Sequence, residues 1–220
     1  KRNRDALDRL AFRPRVLRNI ENTNCGGCLL GENLRIPVVL SPIGSLQDLE
    51  PGGGATATKA AAEFGTAHIL SSVCEPGLEA VAAAADNPKI FQLYVRGDAD
   101  WVDDHVRRAI ATGYYAFCLT VDVDDYSRRE RDILRRHKST SRQSAANEEF
   151  QQRFSWDDIK RIKDKFDIPL ILKGIATAED ARLAIEHGVE GIYVSNHGGR
   201  QLDCGRGTID VLPEVVAEVD

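Results

Sequence analysis

Val189-Glu190-Gly191-Ile192-Tyr193-Val194-Ser195-Asn196-His197-Gly198-Gly199-Arg200-Gln201-Leu202-Asp203 begins as an apolar run and ends as a polar loop. The run up to Val194 reads as a short buried strand, and Gly198-Gly199 allows the backbone to reverse sharply just after it. His197 and Arg200 stand three apart in that reversal. An imidazole and a guanidinium can thus face one pocket, a pairing suited to a base beside a carboxylate clamp. Polar loops at the C-terminal ends of parallel strands are where barrel folds keep their chemistry. Taken alone, the tetrapeptide His197-Gly198-Gly199-Arg200 reads equally well as a solvated glycine-rich turn.

The same pattern recurs upstream. Apolar runs predict strands at 38–41, 68–71, 90–95, 116–122, 170–173 and 191–195, and amphipathic or alanine-rich stretches predict helices at 54–64, 77–85, 101–111, 156–165, 178–187 and 212–219. Thr177, with Asp180 three residues on, marks the start of one helix, and Gly188 marks its end. Alternating strands and helices point to an α/β fold with a parallel sheet. Most strands end on polar side chains able to do chemistry: Ser71, Gln92 with Tyr94, Thr120 with Asp122, Lys173, and Ser195 with His197.

That distribution predicts a TIM (β/α)8 barrel, whose site is assembled at one rim, over an open Rossmann sheet, whose signal would be one G-x-G-x-x-G turn. Residues 1–220 are expected to form a single domain with about six of the eight strands. Closure typically takes ~250 residues, so the reading expects truncation at both ends. Gly52-Gly53-Gly54 lacks the Lys and Ser/Thr of a phosphate loop, and is expected to be a turn leading into a helix. The polar stretch 139–152 is expected to be flexible.

Composition narrows the function. At 42% hydrophobic, 29% charged and a formal net charge of -5, the chain has no basic excess for nucleic acid or an anionic membrane. Its longest apolar runs, such as Ile168 to Leu172, fall far short of the roughly 20 residues that span a bilayer. A cytoplasmic protein with no nucleic-acid partner is expected. Cys25, Cys28, Cys74, Cys118 and Cys204 are odd in number and scattered, so reduced thiols are expected. Cys25-Gly26-Gly27-Cys28 has no second Cys or His pair at zinc spacing. It reads as the surface turn of a hairpin, and no metal is expected.

The nonapeptide from Ser195 to Asp203 resembles the signature of the FMN-dependent 2-hydroxy-acid oxidases and dehydrogenases, the family of glycolate oxidase, lactate oxidase and mandelate dehydrogenase. Pro42-Ile43-Gly44, Ser71-Ser72, Phe91-Gln92-Leu93-Tyr94, Leu119-Thr120-Val121-Asp122, Arg128-Arg129-Glu130 and Leu172-Lys173-Gly174 match further blocks in family order. The resemblance implies an FMN-binding barrel that oxidises a small L-2-hydroxy acid, similar to L-lactate or glycolate, and assembles as a homo-oligomer, a tetramer.

Such a reaction needs a base, a carboxylate clamp and an electron sink. His197, whose ordinary pKa of about 6.5 lies near operating pH, is the expected base. Asp122 would hold its tautomer, Tyr94 would bond the substrate oxygen, and Arg129 and Arg200 would form the clamp, since a guanidinium pairs bidentately with a carboxylate. By resemblance, Pro42, Ile43 and Gly44 would meet the flavin's middle ring, Lys173 its pyrimidine end, and Ser71, Gln92, Thr120 and Ser195 would offer neutral hydrogen bonds.

Other readings stay open: a buried Asp122–Lys173 ion pair, a satisfied core amide at Gln92, a different FMN barrel enzyme, or a non-catalytic barrel serving as an interaction module. Val73-Cys74-Glu75 departs from the family's Trp-Ala and leaves substrate choice open, and Cys204 replaces a glycine. The family's N-terminal substrate tyrosine would precede Lys1, and its phosphate-binding loops would follow Asp220.

Overall fold

The computed structural model describes residues 1–124, 127, 129–137, 139–140 and 147–220. Arg128 of the matched motif lies outside them, as do residues 141–146 of the stretch expected to be flexible.

Five parallel strands form the sheet, in chain order: β3 (His68–Ser71), β4 (Lys89–Leu93), β5 (Ala116–Thr120), β6 (Leu170–Ile175) and β7 (Gly191–Val194). Sequential order requires a crossover between each pair. Among the described residues these crossovers carry α3 (Leu78–Ala82), α4 (Ala99–Ala111), α7 (Trp156–Lys165) and α8 (Ala178–Glu186), with α2 (Gly53–Phe64) before β3 and α9 (Thr208–Val219) after β7. The described residues also form short helices α1 (Arg2–Asp8), α5 (Glu130–Leu134) and α6 (Glu148–Arg153) and a 3-10 turn at Leu46–Asp48. The arrangement is an open part of a (β/α) barrel.

Side chains alternate across a strand, and the two faces divide cleanly. Leu70, Phe91, Leu93, Phe117, Leu119, Leu170 and Leu172 pack outward with Val81, Val102, Val106, Ile159, Ile162, Ala181 and Ala184 of the helices. Full burial of each larger side chain contributes about 1.5–3 kcal/mol. Ile69, Ile90, Ala116, Cys118 and Ile171 occupy the opposite face. Two residues on from each strand's inner apolar residue, that face carries Ser71, Gln92, Thr120 and Lys173. The ladder brings them level in pairs: Ser71 pairs with Gln92, and Thr120 with Lys173, which pairs in turn with Tyr193, while Gln92 pairs with Cys118.

Several expectations change. Residues 38–41 form no ladder strand; only Leu40 bridges His68. Pro37 and Pro42 remove ladder donors on either side, and the Thr66 hydroxyl takes the Val38 carbonyl. The six expected strands are therefore five plus one bridged residue. Cys28 belongs to a strand, not a turn: β1 (Gly27–Leu29) pairs antiparallel with β2 (Glu32–Leu34), and the reversal is at Leu30-Gly31, with φ of 49° and 90°. Helix 77–85 shortens to Leu78–Ala82, and the stretch 139–152, expected to be flexible, carries most of α6, where the buried Gln151 side chain accepts the Val95 amide at 2.9 Å and donates to the Thr120 carbonyl at 3.1 Å.

Other local readings hold. The Thr177 hydroxyl accepts the Asp180 amide at 3.2 Å. Gly52 caps α2 rather than opening a phosphate loop, and a Cβ on Gly54 would come within 2.7 Å of Leu70 Cδ1, so the glycine lets helix and sheet close up. No helix among the described residues is long and apolar enough to cross a membrane. All five cysteines are free, and burial pushes the Cys118 thiol up to about 12.

Candidate active site

A cavity of about 550 Å³ opens at the C-terminal end of the sheet. Pro42, Ile43, Gly44, Tyr94, Arg129, Lys173, Ser195, His197 and Arg200 line it, nine of the thirteen residues expected at the site. Ser71, Gln92, Thr120 and Asp122 are outside the lining and support it from behind.

The loop after β7 delivers His197. Its φ of 56° is left-handed, and Gly198 and Gly199 follow at 72° and 70°. A non-glycine side chain in that conformation carries strain that the surroundings must overcome. Here they do so through three hydrogen bonds. The His197 amide donates to Ser195 Oγ at 3.1 Å, Nδ1 is 3.0 Å from Asp122 Oδ1, and Nε2 is 3.2 Å from the Tyr94 hydroxyl. An ionised Asp122 only accepts, so the network assigns the proton to Nδ1 and leaves the Nε2 lone pair facing Tyr94 on the cavity.

Asp122 is held by the strand beside it. A bulge between Lys173 and Ile175 places Gly174 at φ 120° against Asp122. The second oxygen of Asp122 is buried without a hydrogen bond among the described residues. The expected alternative, an Asp122–Lys173 ion pair, does not form: Asp122 pairs with His197, and the Lys173 ammonium lies 5.6 Å from the centre of the Tyr193 ring.

Gln92 is fully buried and its amide nitrogen donates to Thr120 Oγ1 at 2.9 Å. Its carbonyl oxygen has no donor among the described residues, so the reading of a satisfied core amide also fails. A buried acceptor without a partner costs roughly 1–3 kcal/mol, which a ligand N–H would recover. Ser71 is buried and accepts the Val73 amide at 3.4 Å.

The two arginines differ. Arg129 is partly buried at the cavity, whereas the Arg200 side chain is 54% exposed at its rim, 4.0 Å from Asp132. An exposed pair of that length is worth little, so a carboxylate entering the cavity competes readily with Asp132.

Tyr193 escaped the sequence reading, which counted it among the apolar residues of the strand. Its hydroxyl is 2.8 Å from Ser41 Oγ, and its ring lines the cavity beside Lys173. Counting by two from Gly191, paired with Ile171, would have placed it on the inner face.

A sequence model described as FMN-dependent dehydrogenase matches residues 1–220. Glycolate oxidase 3 of Oryza sativa subsp. indica is 36% identical over 240 residues, covering 99% of the chain and 65% of the relative. The peroxisomal (S)-2-hydroxyacid oxidase of Arabidopsis thaliana is 36% identical over 236 residues, with 99% and 65% covered. The crystal structure of mandelate oxidase with 3,3-difluoro-2-hydroxy-3-phenylpropionic acid superposes with a TM-score of 0.90 at 33% identity, covering 99% of this chain and 65% of that one. The chain thus spans 65% of the length of the curated relatives named here.

Proposed function

Because the chain belongs to the FMN-dependent dehydrogenase family, we propose that it oxidises a small L-2-hydroxy acid to the 2-oxo acid with FMN as the immediate electron acceptor. One observation carries the reading: a single cavity gathers a histidine polarised by a carboxylate, three guanidiniums, those of Arg96, Arg129 and Arg200, and a buried ammonium.

The residues present fit the cofactor. Among the described residues the Gln92 carbonyl lacks a donor, and Lys173, only 6% exposed, has no carboxylate within ion-pair distance. A flavin pyrimidine ring offers an N–H to the first and electron-rich heteroatoms to the second. Pro42, Ile43, Gly44, Lys173 and Ser195 on the cavity wall, with Ser71, Gln92 and Thr120 behind them, are the residues that would hold it. Bound there, FMN supplies the two-electron oxidising power.

The chain's own groups do the rest. Oxidation of a 2-hydroxy acid to the 2-oxo acid releases two electrons and two protons. His197 Nε2 takes one proton, the other proton and both electrons would go to FMN where it is bound, and the resulting imidazolium is stabilised by Asp122 across the 3.0 Å contact. Tyr94, 3.2 Å from Nε2, bonds the substrate oxygen beside the base. Arg129 and Arg200 hold the carboxylate, which fixes the orientation of the reacting carbon. Val73 on the cavity wall leaves room beside that carbon.

Compartment and assembly extend the proposal. Five free thiols, three of them exposed, accord with a reducing compartment such as the cytoplasm, although one relative is named as peroxisomal. The family resemblance supports a homo-tetramer.

The reading is tested by mixing the FMN-loaded protein anaerobically with a panel of L- and D-2-hydroxy acids and following flavin absorbance. Bleaching by L-acids alone supports it. Bound flavin that no 2-hydroxy acid bleaches overturns it.

A further inference from the structure

The loop that carries His197 and Arg200 is anchored by a residue almost two hundred positions away. Asn196, just before the base, has a fully committed side-chain amide. Its oxygen accepts from Asn3 Nδ2 at 2.9 Å and from the Gly199 amide at 3.0 Å. Its nitrogen donates to Asn3 Oδ1 at 2.7 Å and to the Arg206 carbonyl at 3.0 Å. An asparagine offers two donors and two acceptor positions, and all four are used. Asn3 Oδ1 also accepts the Thr208 amide at 3.2 Å. One reciprocal amide pair therefore joins the start of the loop, its far end and the first turn of α9.

This pair bears on catalysis through the backbone between Asn196 and Gly199. Three consecutive residues there, His197, Gly198 and Gly199, are left-handed. The reversal is closed twice, by the Gly199 amide on the Asn196 backbone carbonyl at 2.8 Å and on its side-chain oxygen at 3.0 Å. The side-chain closure needs the Asn196 amide in one orientation. Asn3 selects it, because its own nitrogen donates to that oxygen and its own oxygen receives from that nitrogen. A strained reversal that aims an imidazole is kept only where the surroundings over-determine it.

We infer that Asn3 is a positioning residue for the base, acting through Asn196 to hold the reversal that places His197 between Asp122 and Tyr94. This deepens the function proposed above and rests on it for its kinetic consequence. Helix α1 also makes contacts that do not involve the pair. Arg2 donates to the Cys204 and Gly205 carbonyls, and Arg9 forms a two-pronged bond to Asp210 at 2.8 and 2.7 Å.

The test compares Asn3→Ala, Asn196→Ala, the double variant and Arg9→Gln in the FMN-loaded protein. Deuterium uptake across residues 195–208 and the anaerobic rate of flavin reduction at saturating substrate are measured on each. Asn3→Ala should speed exchange in that segment and slow reduction per bound flavin about 10-fold or more, since ångström-scale misplacement costs up to 10²-fold. Substrate half-saturation and FMN occupancy should stay within about 2-fold. The double variant should be no slower than Asn196→Ala, because both act through one contact. Arg9→Gln loosens α1 without touching the amide pair and should leave the reduction rate unchanged.

Unchanged exchange and reduction in Asn3→Ala would overturn the inference. So would equal slowing in Arg9→Gln, which would make α1 a merely structural strap. If no 2-hydroxy acid reduces even the unmodified protein, the functional reading fails, while the exchange measurement still decides whether Asn3 anchors the loop.

Discussion

Gly174 and Asp122 approach so closely that no side chain fits between them: a Cβ on Gly174 would lie 2.6 Å from Asp122 Cβ and 2.8 Å from its Cγ. The φ of 120° at Gly174 is also one that side-chain-bearing residues rarely adopt. The bulge that turns Lys173 toward the cavity thus sets the floor on which Asp122 rests, and through Asp122 the ring of His197. Gly174→Ala should displace the carboxylate, lower stability by about 1–3 kcal/mol and slow flavin reduction more than ~10-fold, as expected when a base is misplaced. Denaturant midpoints and anaerobic reduction rates check both effects. An alanine variant with unaltered reduction would separate the bulge from the catalytic dyad.

Arg200 is the side chain whose charge and shape are most easily told apart. Arg200→Lys preserves charge but loses the planar fork that pairs with a carboxylate. Wild type should reduce its flavin much faster with a 2-hydroxy acid than with the corresponding amide, and the lysine variant should lose much of that preference. Reduction rates for acid and amide with both proteins measure it. Equal preference in the two would leave the clamp to Arg129 and free Arg200 as a rim charge paired with Asp132.

His68 gives the fold a pH dependence independent of the site. Burial and, secondarily, the neighbouring Lys89 depress its pKa to about 4, against an ordinary 6.5. Its Nδ1 is buried without a hydrogen bond among the described residues. Between those values the unfolded chain takes up a proton that the native state refuses, so stability falls as pH drops from 6.5 toward 4 and is restored above it. The span corresponds to on the order of 3 kcal/mol. Denaturant midpoints measured from pH 7 to 4 should decline less steeply in His68→Gln than in wild type; parallel curves would remove His68 from the account.

The polar strand ends were legible because period-two counting needs only a correctly placed apolar run. Ser71, Gln92, Thr120 and Lys173 follow inner-face Ile69, Ile90, Cys118 and Ile171 by two. The same arithmetic failed at 38–41, where β-branched residues promised a strand but flanking prolines and the Thr66 hydroxyl claimed the backbone instead. The His197–Asp122 contact, across 75 positions, was reachable only through the family resemblance. Tyr193 and the Asn3–Asn196 pair were missed, the first because an aromatic in an apolar strand reads as core, the second because amide pairing leaves no spacing in the sequence. The exposure of Arg200 depends on how its loop is held, which local composition does not encode.

The base assignment is the centre of the account, and anaerobic stopped-flow reduction of the FMN-loaded protein by its best 2-hydroxy acid tests it most directly. His197→Gln keeps a polar side chain on the loop and leaves the residues assigned to the flavin in place. The account predicts reduction slower by ~10² to 10⁴, the usual worth of a general base, with FMN occupancy unchanged. A His197→Gln protein that reduces its flavin within a few-fold of the wild-type rate would contradict it.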